Sequence, residues 1–335
     1  MQHKTMDGLV LPKILIYRIL SNCLIINYFS MNIKKILSLC AIFTCLNSCA
    51  EAQSNYSNDA PAYVIYNKSG KKISFSTMLN EISQKVDVCL FGEFHDDPIS
   101  HWMELKLIKN LYKDKGDKLI VGAEMWERDQ QLLLDEFLLD PDMSISTYQS
   151  YEKLWSNFTT DYKSILNFAK ANNIKFVGTN VPRRYANIVS RNGIEKLDSL
   201  TDNAKSYLPP LPITIDLNNE FYESIADIFK ESAGMMKKTS ISNMVKAQAL
   251  KDATMAYFLV KSMSKDSYMF HFHGELHSAF NSAIQFYLRQ YAPELQVKTI
   301  SVLKQDDVMK FDSDDSRADF NIVIPNDMCK TYVSE

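Results

Sequence analysis

Four short apolar runs in this chain end alike, each bringing a glycine and then a polar side chain. The run 86–91 leads into Gly92-Glu93-Phe94-His95, and the run 118–123 contains Gly122 and ends at Glu124. The run 174–178 closes on Gly178 and passes to Thr179-Asn180, with Arg183 and Arg184 just beyond. The run 267–273 leads into Gly274-Glu275-Leu276-His277. Apolar runs this short, bounded by turn signals, read as buried strands rather than helices. Helical patterns separate them, and strand–helix alternation predicts an α/β fold: a mostly parallel sheet flanked by helices.

The helix after the first run starts at Asp97-Pro98, a side-chain cap followed by proline at the first helical position. It is expected to reach about residue 113, with Trp102, Leu105, Ile108 and Leu111 as its apolar face. Further helices are expected at 76–84 (capped by Ser76), 128–139, 161–171 and 277–291. A hairpin is expected from 62–66 and 73–75, a strand at 295–302, and an edge strand at 320–325. The stretch 183–265 has no strand pattern, only a Pro-rich break at 208–212 and helical patterns at 217–236 and 240–264. It reads as a helical insertion or lid within the domain spanning 62–335.

The first 48 residues read as a signal segment rather than part of that domain. Met31-Asn32-Ile33-Lys34-Lys35 is a basic n-region, and 36–44 is an apolar stretch of signal-peptide length. Leu46-Asn47-Ser48-Cys49 follows as a lipobox, which makes Cys49 the expected lipidation site. Residues 1–30 then lie upstream of the true start at Met31; the competing reading is a spanning anchor over 9–29. The polar stretch 49–61 is the expected tether, and an acyl anchor attaches the chain to a membrane without a spanning helix. Localisation is accordingly expected on the periplasmic or cell-surface face of a bacterial membrane.

Without residues 1–48 the chain keeps 32 basic and 39 acidic side chains, a formal charge of −7. Its basic runs are no longer than pairs, so no nucleic-acid footprint is present. Four of the six cysteines sit at or before position 49, leaving Cys89 and Cys329, which do not make a disulfide framework.

Chemistry concentrates at the strand ends, where open parallel sheets bind their ligands. Five of the six histidines, His95, His101, His271, His273 and His277, lie in or beside the two Gly-Glu-x-His copies. Two copies at strand ends predict one site assembled from distant segments, with His271 and His273 sharing one strand face opposite Phe270 and Phe272. Imidazoles and carboxylates at one locus can hold a divalent metal or act as general acid and base. The metal candidates are His95, His277, Glu93 and Glu275. His101 and His271 each have a competing reading as satisfied core residues. There is no His-Glu-x-x-His, P-loop or Gly-x-Ser-x-Gly motif.

Several segments resemble the ChaN-like haem-binding lipoprotein family. They are Ile73-Ser74-Phe75, Leu90 to Pro98 around the first copy, Gly122-Ala123-Glu124-Met125-Trp126-Glu127-Arg128, Asn180-Val181-Pro182-Arg183, Ala247 to Ala256, and the second copy. The resemblance spans about 63–325. It implies a lipoprotein of iron or haem uptake that holds haem with help from a tyrosine, which cannot be placed here, in a pocket involving a homodimer. It also implies kinship with Tiki, TraB and erythromycin-esterase proteins, some of which are metal-dependent proteases or esterases. Carried over, the shared polar site is Glu93, His95, Glu124, Glu275 and His277, with Arg183 beside it. The chain departs from the pattern in its His-Phe-His before the second copy, making His271 and His273 candidate haem ligands. Binding of haem or iron is the expected function, and a metal-dependent hydrolase the alternative.

Overall fold

The computed structural model describes residues 61–217, 220–233 and 238–332. The expected signal segment, lipidation at Cys49 and tether up to residue 60 lie outside the described residues. The chain divides there, with Pro61–Glu335 forming its own compact unit. Among the described residues no helix is long and apolar enough to cross a membrane.

The strands are β1 (Val64–Asn67), β2 (Lys72–Ile73), β3 (Val88–Glu93), β4 (Leu119–Glu127), β5 (Lys175–Asn180), β6 (Tyr268–Gly274), β7 (Val297–Gln305) and β8 (Phe320–Pro325). The longer helices are α1 (Phe75–Ser83), α2 (Pro98–Lys115), α3 (Gln131–Leu139), α4 (Ile145–Tyr151), α5 (Lys163–Ala171) and α6 (Arg183–Asn192). The short α7 (Asp202–Lys205) precedes α8 (Glu220–Ala233), α9 (Lys238–Ser262) and α10 (Ile284–Tyr291). One sheet runs β2-β1-β8-β7-β3-β6-β4-β5. Its six strands from β8 to β5 are parallel, and the β1–β2 hairpin adds antiparallel to β8. The α/β fold with a mostly parallel sheet is thus the observed one.

Two local expectations change. The strand 320–325 is not at an edge: β8 lies between β1 and β7. Its Phe320, Ile322 and Ile324 join one core cluster while Val323 packs with Val64 and Tyr66 on the other face. The last helix before β7 begins at Ile284, because 3-10 turns occupy Glu275–His277 and Ala279–Asn281.

Alternation along the parallel strands sends odd and even residues to different helical layers. Cys89, Phe91, Val121, Phe176, Phe270 and Phe272 pack beneath α2 and α5. Val88, Leu90, Ile120, Val177 and Met269 pack instead with Ala253, Met255, Ala256 and Leu259 of α9 and with α10. Within 183–265, expected as an insertion or lid, α9 is therefore a layer on the sheet, while α6 packs against it through Val189, Ala247 and Leu250.

The start of α2 is fixed by Asp97, whose buried carboxylate accepts the Ser100 backbone N–H at 2.9 Å. Asp97→Ala should cost about 1 kcal/mol, the usual value of such a cap. Urea denaturation reads this as a lower midpoint with unchanged slope. The face that α2 buries matches the expected one at Ile108 and Leu111, with Leu105 partly buried, but not at Trp102. Trp102 is 43% exposed, whereas His101, Met103, Glu104, Leu107, Ile108 and Leu111 are buried. In place of Trp102, the first turns of the helix bring His101 and Glu104 inward toward Glu93.

Candidate functional site

The two Gly-Glu-x-His copies sit on neighbouring parallel strands, but their register is offset by one residue: Gly92 faces His273 and Glu93 faces Gly274. A one-residue offset turns equivalent side chains to opposite faces. Glu93 goes to the α2/α5 side. Glu275 goes to the other side, where its Oε1 accepts bonds from Ser301 Oγ at 3.2 Å and Arg317 at 2.9 Å. The histidines, each two positions after its glutamate, return to a common rim, so the pair unites at His95 and His277 and not at its glutamates.

Glu124 stands between those histidines. Between Ala123 and Glu127 the β4–β5 register shifts, Ala123 facing Gly178 and Glu127 facing Asn180. That bulge on β4 re-aims its side chains at the sheet edge. Gly178 makes room for it: a Cβ there would lie 2.7 Å from Trp126 Cβ. Glu124 Oε2 accepts the Gly274 N–H at 2.9 Å, and its Oε1 lies 3.2 Å from His277 Nε2. On the far side of the ring, His277 Nδ1 lies 2.5 Å from Asp252 Oδ1, and Gln248 Nε2 is 3.0 Å from His277 Nε2. Both ring nitrogens therefore face carboxylates. Burial pushes this imidazole down, but Glu124 and Asp252 outweigh it and raise His277 to about 10, an imidazolium at neutral pH. Burial likewise opposes the Glu124 charge, yet His277 first and His95 next hold that carboxyl well below the usual range. Burial raises Asp252 despite the His277 charge, which places it as an acceptor sharing a proton with Nδ1.

His95 is arranged differently. Its Nδ1 is 2.7 Å from Glu93 Oε1, which also accepts the Tyr162 hydroxyl at 2.6 Å. Its ring meets Trp155 edge-on at 4.9 Å, and its side chain is 40% exposed. Nε2 stands over Gly274, where a Cβ would come within 2.9 Å of it. Burial pulls His95 down, but the Glu93 hydrogen bond and charge raise it overall. Burial opposes the Glu93 charge too, but a hydrogen bond from Glu104, the His101 charge and His95 hold Glu93 at about 2. Burial, and then the charge of Glu93, push Glu104 well up, so Glu104 carries the proton of that pair.

The cleft into which these groups open measures about 550 Å³ and is lined by His95, Glu124, Trp155, Lys251, Leu276 and His277 among others. A second cleft of about 790 Å³ shares His95, Glu127, Trp155 and Arg183 with it and is bordered by Lys153 and Tyr332. Arg183, expected beside the site, lines both clefts; its backbone N–H donates to Glu127 at 2.8 Å and its Nε lies 3.5 Å from the same carboxylate.

Three sequence expectations are corrected here. His271 and His273 do not reach the cleft: both are fully buried behind it, His271 Nε2 bonding Thr179 at 2.7 Å and the two Nδ1 atoms lying 2.9 Å apart. Burial holds both well down and neutral, His271 at about 3. Glu275 lines the cleft with the other expected site residues, but its carboxylate bonds Arg317 and Ser301 and not the histidines. The metal set His95, His277, Glu93 and Glu275 does not converge, since its carboxylates face different sides. Residues not foreseen as part of the site are Asp252 and Gln248 on α9, Trp155, Tyr162 and Glu104. Asp252 and Gln248 stand four apart within an apolar helical run, a one-face pairing that was legible.

Fold and site together define an α/β protein whose functional cleft opens at the carboxyl ends of a parallel sheet. The chain belongs to the family described as haem-binding uptake, Tiki superfamily, ChaN, whose model matches residues 78–288. Its fold is similar to that of ChaN of Campylobacter jejuni, solved in a study of cofacial haem binding, with 19% identity, 78% of this chain and 96% of that chain covered, and a TM-score of 0.61. Weaker likenesses include an erythromycin esterase in its open conformation, at 12% identity, 72% and 77% coverage and a TM-score of 0.41. A succinoglycan biosynthesis protein gives 14% identity, 68% coverage of each chain and a TM-score of 0.41. The search of curated proteins finds no match.

Proposed function

We propose that this chain is a membrane-anchored lipoprotein that binds haem in the joined clefts, as a step of haem or iron uptake, with His95 Nε2 as the iron ligand. The observation that carries this reading is the state of His95. A carboxylate on Nδ1 fixes ring orientation and raises basicity at Nε2, as is usual for metal-ligating histidines. Nε2 is the ring atom turned to the cleft. Trp155, Phe94 and Leu276 offer apolar surface for the porphyrin, and Arg183, Lys251 and Lys153 offer cations for its propionates. Haem bound there would supply a redox-active iron. Tyr332 borders the second cleft, the nearest fit to the family's tyrosine, whereas Tyr162 is buried and occupied with Glu93. Anchoring through Cys49, and a periplasmic or cell-surface location, rest on the sequence 31–49 alone.

Titrating hemin into the full chain in mild detergent should give a saturable Soret shift, and His95→Ala should lose it. A wild-type spectrum equal to free hemin, or an unaltered shift in His95→Ala, sinks the assignment. Size measurement with and without hemin reads whether two copies share the porphyrin.

A second reading is supported by the pairing of a carboxylate-oriented imidazole with a buried imidazolium in one cleft. His95 could take a proton from water or a hydroxyl while His277 and Glu124 face the reacting group, the division of labour of a general base and an electrostatic partner. Turnover of ester substrates by haem-free, chelator-treated protein, abolished in His95→Ala, would favour this hydrolase.

A further inference from the structure

Behind the cleft, between β3 and α2, Glu93 belongs to a second cluster whose other members neither reading uses. Glu93, Glu104 and Asp161 are buried carboxylates grouped around the imidazole of His101. Gathering three acids out of water is costly unless cations or donors compensate. Asp161 is compensated: its Oδ2 accepts from Asn157 at 2.8 Å and from Thr331 at 2.9 Å. Glu93 Oε2 and Glu104 Oε1, by contrast, receive no donor from any other described residue, although both side chains are fully buried, and are compensated only by the proton that Glu104 shares with Glu93.

The tautomer of His101 sharpens the question. Its Nε2 lies 3.2 Å from the His95 carbonyl oxygen, which can only accept, so Nε2 carries a hydrogen. Its other ring nitrogen, Nδ1, faces two carboxylates, Glu104 Oε2 at 3.3 Å and Glu93 Oε2 at 3.7 Å. Among the described residues, this is the trio whose ligand atoms all lie within 4.8 Å of one another. Metal–ligand bonds of 2.0–2.2 Å put neighbouring donors of a tetrahedral ion roughly 3.4 Å apart. The two spacings from His101 Nδ1, 3.3 and 3.7 Å, bracket that value.

We propose that Glu93, His101 and Glu104 form a buried three-ligand site for a zinc-sized divalent cation, which ties α2 to β3 behind His95. One imidazole with two carboxylates is a hard-to-borderline donor set suited to Zn²⁺, Mn²⁺ or Fe²⁺ and not to copper(I). The ion would neutralise both carboxylates and fix Glu93, whose other oxygen orients His95. Loading displaces the proton held between Glu93 and Glu104. The proposal does not rest on haem binding: it needs neither the cleft nor His95 Nε2.

The test uses the full chain in mild detergent, with its thiols alkylated and stripped by a chelator. Zn²⁺ is added without haem, and bound metal is counted after gel filtration. One equivalent should be retained, with a rise in Tm that the chelator reverses. His101→Ala and Glu104→Gln should each weaken it by more than about 100-fold, since even an outer partner of a ligand is worth roughly 10–100-fold. Should those variants not fold, Co²⁺ in the wild type decides: a four-coordinate site gives an intense visible band that Zn²⁺ erases. No retained zinc, or only the weak spectrum of six-coordinate surface cobalt, overturns the proposal. Since neither readout contains haem, a missing Soret shift would refute the haem reading while leaving this one standing.

Discussion

His277→Ala will unfold with about 3–5 kcal/mol less free energy than the wild type at pH 7, the cost of removing one partner from a buried ion pair. The loss comes less from missing packing than from what stays behind. Glu124 and Asp252 are both buried and, among the described residues, have no other cation at contact distance; there, Gly274 N–H and the Tyr222 hydroxyl, 3.2 Å from Asp252 Oδ2, are their remaining donors. Against a total stability of roughly 5–15 kcal/mol, that is a large fraction. The pH dependence identifies the cause. His277 sits at about 10 in the folded chain against 6.5 when unfolded, so its contribution is complete below about 6.5 and declines as pH rises toward 10. Urea denaturation should therefore show wild-type stability falling between pH 7 and pH 10, with the variant lacking that fall and its deficit shrinking. A deficit under about 1 kcal/mol, or one equal at both pH values, would mean that His277 is an ordinary packed ring.

What the sequence could and could not disclose follows from what each residue responds to. Strands β3, β4, β5 and β6 were legible because burial on both faces leaves unbroken apolar runs, and their order with helices dictates a parallel sheet. The location of the site was legible for the same reason, since strand ends are where such sheets bind. The face of α2 was not. Periodicity counts apolar residues, and the first turns of this helix bury His101 and Glu104 toward Glu93, so the pattern holds at Ile108 and Leu111 but puts Trp102 inside. The role of Glu275 was hidden in the register: two tetrapeptides of one Gly-Glu-x-His pattern look equivalent on paper, while a one-residue offset across β3 and β6 sends their glutamates to opposite sides. Position 320–325 looked like an edge because it is last in the chain, but sheet order is set by pairing and not by sequence. Asp252 lay in plain view on α9, four residues from Gln248. Nothing local marks it as the partner of a histidine twenty-five positions away, and only the packing of α9 on the sheet supplies that contact.

Gly274→Ala will test whether the two copies truly make one site, without touching an ionisable group. Gly274 has φ −55° and ψ 138°, values any residue adopts, so backbone freedom is not what selects glycine here. Space is. An added Cβ would stand 2.9 Å from His95 Nε2, 3.1 Å from its Cε1 and 3.5 Å from Glu124 Oε2. Real Cβ contacts need roughly half an ångström more, so either the imidazole swings away from the rim or β6 retreats from it. The ring is the softer of the two, being 40% exposed and held by one bond to Glu93 and an edge contact with Trp155. The expected result is a stability loss within about 1–3 kcal/mol, the usual cost of overfilling. Hemin affinity should nevertheless fall by tenfold or more, because a functional group must be held to about 0.5 Å. If the cleft is a hydrolase instead, turnover should drop on the order of 10²-fold, as for a 1 Å misplacement. Zinc retention at Glu93, His101 and Glu104 should persist, because that trio lies on the opposite side of Glu93 from the methyl group. An unchanged hemin affinity would place the porphyrin away from His95, and with it would fall the inference that the glycine of one copy makes room for the histidine of the other.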